Sequence, residues 1–327
     1  MHTLSCLVLW TSLFSLSTSS NTPLLCTTPL SPAYSSQVAF NSKLFHANFD
    51  KGDAGKRANG PLASISMDWT VNNEHVLGRK SFVSGLLQAA DSFAGLQILD
   101  HIHLNEGNTA AILYYFQGTN SAPYNGHPTS HAKVEAWNGE FLLFDSSVRL
   151  NQLITINEFD SFELQVTGQQ NVTSFTPVSL VENPQTAVAF REKIKNTAAK
   201  FTQLFNARTV SEARSLCTNN VVVRTSKGTS TGFSAVAALL NRYQTPFPDL
   251  LVHDEYIIAD GHFAAVESII EGSRTGPFTV SNGTVVPADG ETYRTRVMRW
   301  YQFTDGGNVE GIWEVNNRDD LLENMLG

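Results

Sequence analysis

The chain repeats itself, and this restricts the fold more than any single motif does. Phe93–Gly118 aligns without a gap to Phe247–Gly272, with identity at Phe93/Phe247, Leu96/Leu250, Asp100/Asp254, Gly107/Gly261, Ala110/Ala264, Ala111/Ala265 and Gly118/Gly272. Seven of 26 positions agree, where ordinary composition gives about two. The same spacing pairs Gly78 with Gly232, Leu86 with Leu240 and Pro123 with Pro277, so one register runs through both copies. A length of 327 residues accommodates two domains, and 42% hydrophobic residues suffice for a core in each.

The second copy has the clearer element order. Phe190, Ile194, Thr197, Phe201 and Leu204 recur at helical spacing. Thr209-Val-Ser-Glu212 has the form of a capping box, and Val236, Leu239, Leu240 and Tyr243 mark a further helix after Gly232. Strands are expected at Val221–Thr225, Leu251–Ile258, His262–Ile270, Tyr293–Phe303 and Val309–Val315, with Asp260-Gly261 as a hairpin turn. In the first copy the reading gives a weakly patterned helix near Val38–Asn48, a strand at Met67–Val71 and a helix at Arg79–Ala90. Strands follow at Ile98–Leu104, Asn108–Phe116, His131–Trp137 and Glu140–Phe144, the last two separated by an Asn138-Gly139 turn. Helices followed by an antiparallel meander make each copy an α+β domain. The domains are expected at residues 35–166 and 186–327, joined by a polar, Pro-containing linker at 167–185.

The N-terminus points to export. Leu4–Leu16 is an apolar run too short to span a bilayer comfortably, followed by the small residues Ser17, Ser19 and Ser20. Residues 1–20 therefore read as a signal peptide, although only His2 stands where a Lys or Arg is usual, and the mature protein is expected to be secreted. Asn171-Val-Thr173 and Asn282-Gly-Thr284 are glycosylation sequons. Removal of the signal takes Cys6 with it and leaves Cys26 and Cys217, either a disulfide or two isolated thiols. The net charge of -8, without a basic run, argues against nucleic acid and against anionic membrane surfaces. No later stretch approaches transmembrane length.

Phe247-Pro-Asp-Leu250, Ile257-Ile-Ala-Asp-Gly-His262, Gly272 and a closing Trp313…Leu321-Leu-Glu-Asn-Met-Leu-Gly327 give the second copy a resemblance to the SnoaL-like polyketide cyclases of the nuclear transport factor 2-like superfamily. The first copy shares the resemblance through its alignment to the second. The resemblance implies two tandem cones, each a strongly curved antiparallel sheet wrapped around helices, with a small, largely apolar organic molecule bound inside. It also implies pairing through the outer sheet faces, within one chain or as a homodimer. Chemistry in such a family is proton transfer without metal or organic cofactor, giving cyclisation, isomerisation or dehydration; non-catalytic binders share the fold.

The resemblance places a base after the closing Trp, in a Trp-x-x-x-Asp pattern. Trp313-Glu-Val-Asn-Asn317 puts an amide there, which orients a ligand but cannot take its proton. In the first copy, aligning Phe141 with Trp313 makes Asp145 the base, whereas aligning Asn138-Gly139 with Asp305-Gly306 does not. Asp68 is the acid on the strand leading into Gly78, as in related steroid isomerases, or else a solvated strand residue. His131 is a candidate acid–base group. Asp100 and Asp254 lie on apolar stripes, either facing a ligand or satisfied as structural hydrogen-bonders. His101 and His103 are expected on one strand face, but no carboxylate completes a metal-ligand spacing, and no metal site is assigned.

Overall fold

The computed structural model describes residues 31–71, 74–124, 126–168, 186–225, 228–279 and 285–316. The first unit runs α1 (Pro32–Phe49), α2 (Gly52–Ala58), β1 (Ala63–Val71), β2 (Glu74–Leu77), α3 (Arg79–Ser92), β3 (Phe93–Glu106), β4 (Thr109–Asn120), β5 (Lys133–Phe144), β6 (Leu150–Asn157) and α4 (Phe159–Val166). The second runs α5 (Val188–Asn206), a 3-10 turn (Val210–Leu216), β7 (Cys217–Thr225), β8 (Gly228–Thr231), α6 (Phe233–Asn241), β9 (Leu251–Asp260) and β10 (Phe263–Ser273). A short hairpin of β11 (Phe278–Thr279) and β12 (Val285–Val286) follows, then β13 (Thr292–Phe303) and β14 (Val309–Asn316).

The two six-stranded sheets have the same order, β2-β1-β6-β5-β4-β3 and β8-β7-β14-β13-β10-β9. In each, the pairing of first strand with last (β1 with β6, β7 with β14) is parallel and the meander is antiparallel. Gly78 and Gly232 have φ of +85° and +83°, a conformation that costs a side chain and that turns each short hairpin into its helix.

One face of each sheet packs on its own helices. In the first unit Val38, Phe45 and Phe49 of α1 and Phe82 and Leu86 of α3 cover Met67, Ile98, Ile112, Leu142 and Leu153. In the second, Ile194, Phe201 and Phe205 of α5 and Val236, Leu239 and Leu240 of α6 cover Val221, Val252, Val266, Tyr301 and Ile312. Alternation leaves the opposite faces apolar as well, and these meet each other. Ile102, Leu104, Leu113, Phe141, Ile154 and Ile156 form one cluster with Ile258, Phe263, Met298, Trp300, Trp313 and Val315. The contacts across this seam are reciprocal: Glu106 accepts the Ala259 N–H at 2.9 Å, while Asp260 accepts the Asn105 N–H at 3.4 Å.

Two expectations are corrected. Asn138-Gly139 is not a turn but lies within β5, where Gly139 faces the Trp300 ring so closely that a Cβ would fall 2.4 Å from it. The actual hairpin turn begins at Asp145, and β6 and α4 follow it. His101 and His103 lie on opposite faces, because a bulge between Asp100 and Ile102 shifts the register. The counterpart bulge in β9 lies beside Asp254.

Candidate functional site

The bulged strand delivers Asp100 to the helix-facing side, where α1 meets it with a histidine. Ser42 and His46, one helical turn apart, share the buried stripe of α1 with Val38, Phe45 and Phe49. His46 is clamped between two acids: Nδ1 is 2.5 Å from Asp100 Oδ1 and Nε2 is 2.9 Å from Glu140 Oε2. Glu140 Oε1 accepts the Tyr114 hydroxyl at 3.0 Å and the Thr155 hydroxyl at 3.2 Å. Thr155 accepts the Trp69 indole N–H at 2.9 Å. On the other side, His103 Nδ1 makes a long 3.5 Å contact to Asp100 Oδ2, and its Nε2 lies 2.8 Å from the Ser42 hydroxyl.

Burial alone would strip His46 of its proton. The adjacent Asp100 and Glu140 reverse that and raise it to about 10, so it is an imidazolium at neutral pH. Burial pushes Asp100 up, but His46 and His103 hold it well below the usual carboxylate range. Burial lowers His103, against the opposing pull of Asp100, and leaves it neutral. Burial and Glu140 keep Tyr114 a neutral phenol donor. Asp100 is the accessible member: its side chain is 22% exposed, against 3% for His46 and 7% for Glu140.

The second unit fills the same positions differently. Asp254 accepts hydroxyls from Thr202 and Ser268, both at 2.8 Å, and burial raises it above the ordinary carboxylate value against those two donors. Strand register puts Arg299 where the first unit has Glu140, since Val266 faces Arg299 as Ile112 faces Glu140. Arg299 Nε donates to Glu314 Oε2 at 2.8 Å, and Arg242 and Asn316 donate to Glu314 Oε1 at 3.2 and 2.8 Å.

The other candidate residues lie apart from this network. His131 is exposed on a loop with φ of +57°. Asp145 Oδ1 accepts the backbone N–H groups of Ser147 and Arg149, which makes it a turn former. Asp68 points away from the helices and pairs with His75 at 3.0 Å. Trp313 lies in the seam between the sheets, 5.5 Å from the His101 ring, and not on the helix-facing side. Register pairs Trp313 with Trp300 and Ile154 with Phe141. The first-unit residue four places after Ile154 is the buried Glu158, and neither sequence alignment of Asp145 survives. Cys217 is buried and has no disulfide partner among the described residues, and burial raises its thiol to about 11. Its expected partner Cys26 lies outside the described residues, as do Asn171, Asn282, Asn317 and residues 1–20.

Sequence reasoning missed His46 and Glu140. A signal existed: Phe45-x-x-x-Phe49 repeats as Phe201-x-x-x-Phe205, which sets His46 against Thr202 once the two-residue offset from the strand register is allowed.

Residues 195–325 match the model of the SnoaL-like polyketide cyclase family. Among solved structures, AclR of Streptomyces galilaeus is 19% identical over 41% of this chain and 96% of its own, with a TM-score of 0.37. TsrD of Streptomyces laurentii is 18% identical over 42% and 98%, with a TM-score of 0.36. A SnoaL-like polyketide cyclase of Agrobacterium tumefaciens is 17% identical over 41% and 98%, with a TM-score of 0.35. No curated protein matches the sequence. The second unit is thus similar to the SnoaL-like polyketide cyclase family over residues 195–325, and the first unit repeats its strand order.

Proposed function

We propose that the first unit binds a small, largely apolar organic molecule at Asp100 and moves a proton there without a cofactor. The observation that carries this reading is the network itself: two buried histidines and a buried acid fix one partly exposed carboxylate as an anion. A carboxylate held this firmly is a weak base. It takes a proton only from a carbon beside a carbonyl whose developing enolate charge is itself stabilised, and the His46 cation offsets one of the two carboxylate charges. Cyclisation, isomerisation or dehydration of a carbonyl compound fits that limit. The second unit, with Asp254 held by hydroxyls and an arginine in place of Glu140, serves binding or support.

The test uses 1-tetralone in D2O, with α-deuteration followed by mass spectrometry. The wild-type chain should accelerate exchange on the order of 100-fold over buffer, and Asp100→Asn should return it to the buffer rate. Binding without exchange would favour a second reading, a non-catalytic binder or scaffold, which is supported by the engagement of both His46 ring nitrogens. Neither binding nor exchange would remove both.

We also propose that the protein is secreted, on the strength of the Leu4–Leu16 run and the two sequons. N-terminal sequencing of exported protein should find residues 1–20 missing.

A further inference from the structure

Asn138 is fully buried, yet neither its Oδ1 nor its Nδ2 has a hydrogen-bond partner among the described residues. A buried amide that pairs with nothing costs stability. Its position is specific. Strand register lines up Asp100, Tyr114, Asn138 and Asn157 in one row across β3, β4, β5 and β6. Alternation from Glu140 puts Asn138 on the helix-facing side, and two strand spacings put it about 10 Å from Asp100. The same row in the second unit reads Asp254, Ser268, Val297 and Asn316, with an apolar residue in the place of Asn138.

Beside this end of the row lies α4. It starts just after Asn157, and its Phe162 and Val166 pack on Val134 and Ala136, which share the strand and face of Asn138. Gln165 supplies a polar hold on β5. The Gln165 amide accepts the Glu135 N–H at 2.7 Å and donates to the Glu135 carbonyl at 2.8 Å, imitating a strand on an edge that β6 has left. The helix is short, and it is anchored by this amide together with Phe162, whose ring meets those of Phe93 and Phe116.

We propose that Asn138 is a second polar contact of the same ligand, reached when α4 lifts, and that it recognises a neutral group presenting an adjacent hydrogen-bond donor and acceptor. An amide offers one of each, and the Asp100 anion in the same row disfavours an anionic ligand. The inference rests on the first unit being a ligand site, and its test has a readout independent of that.

The probes are 2-quinolone, a neutral bicyclic lactam, and N-methyl-2-quinolone, which lacks the donor. Both are titrated by fluorescence against full-length wild type, Asn138→Leu, Asn138→Val and Gln165→Ala. Wild type should bind the lactam about tenfold tighter than its methylated form. Both Asn138 variants should erase that preference, and Asn138→Leu should raise Tm by removing an unpaired amide. Gln165→Ala should speed association several-fold and keep the preference. Equal binding of the two probes by wild type, or a fall in Tm for Asn138→Leu with the preference intact, would overturn the proposal. If 1-tetralone exchange persists while 2-quinolone does not bind, this subsite falls alone. Loss of all binding and exchange removes the reading beneath it.

Discussion

The two units share a sheet order, a bulge and an aspartate beside it, and differ in what that aspartate meets. Asp100 meets a charged histidine shared with Glu140; Asp254 meets two hydroxyls, and the nearby charge is an arginine–glutamate pair. Duplication thus preserved the geometry that aims a carboxylate at the helices and left its electrostatics free to diverge. The shared aspartate is a consequence of the fold, and the histidine is what sets the first unit apart.

The sharpest way to break this comparison is to remove the histidine. His46→Leu leaves two carboxylates facing each other across a buried gap and should cost about 3–5 kcal/mol, whereas Thr202→Val removes one hydroxyl bond and should cost about 1 kcal/mol. Urea unfolding of the full chain, with probes in each unit because two units need not unfold together, checks both. Equal costs would dissolve the contrast.

A second test uses pH. His46 sits at about 10 when folded and near 6.5 when unfolded. The folded state therefore binds more protons between those values, and its contribution is full below pH 6.5 and lost as pH rises toward 10. The first unit should lose a few kcal/mol over that window, and the second should lose less and only above about pH 9, where its buried Cys217 begins to count, which hydrogen exchange resolved by unit would show. His46→Leu should flatten the first unit's profile.

The seam offers a smaller effect. Gly139→Ala drives a methyl into the Trp300 ring and should cost about 1–3 kcal/mol by overpacking, measured as a shift in urea midpoint. The register counterpart of Gly139 is Met298, and that of Trp300 is Phe141, so the reciprocal site is filled from opposite sides. The smallest expected effect concerns the first helices. Ser31 caps α1 by accepting the Tyr34 N–H at 3.2 Å, while Ala187 at the start of α5 has no side-chain cap. Ala187→Ser should stabilise the second unit by about 0.5–1 kcal/mol, read from thermal unfolding.

Much of this architecture was legible in the sequence because strand alternation and the duplicated glycines are local signals. The matching identities at Asp100/Asp254 and Gly107/Gly261 fixed the alignment of β3 and β4 with β9 and β10. Two features were not legible for physical reasons. Asn138-Gly139 has the composition of a hairpin turn, but the glycine answers a tryptophan from the other unit, a long-range demand that local pattern does not carry. The bulge after Asp100 inverts the alternation on which His101 and His103 were placed, and with it the identity of the residues around the acid. His46 was hidden by the offset between helix and strand registers, so its partner in the repeat went unread.

The reciprocal seam between the units has a consequence beyond packing. Two separate chains that associate through one self-complementary patch carry every substitution twice, once on each side. Here both sides belong to one polypeptide, so a glycine can be cut into one surface and a tryptophan grown on the other without either appearing in duplicate. Tethering also makes their meeting independent of dilution. One half is thereby free to specialise while the other keeps it company.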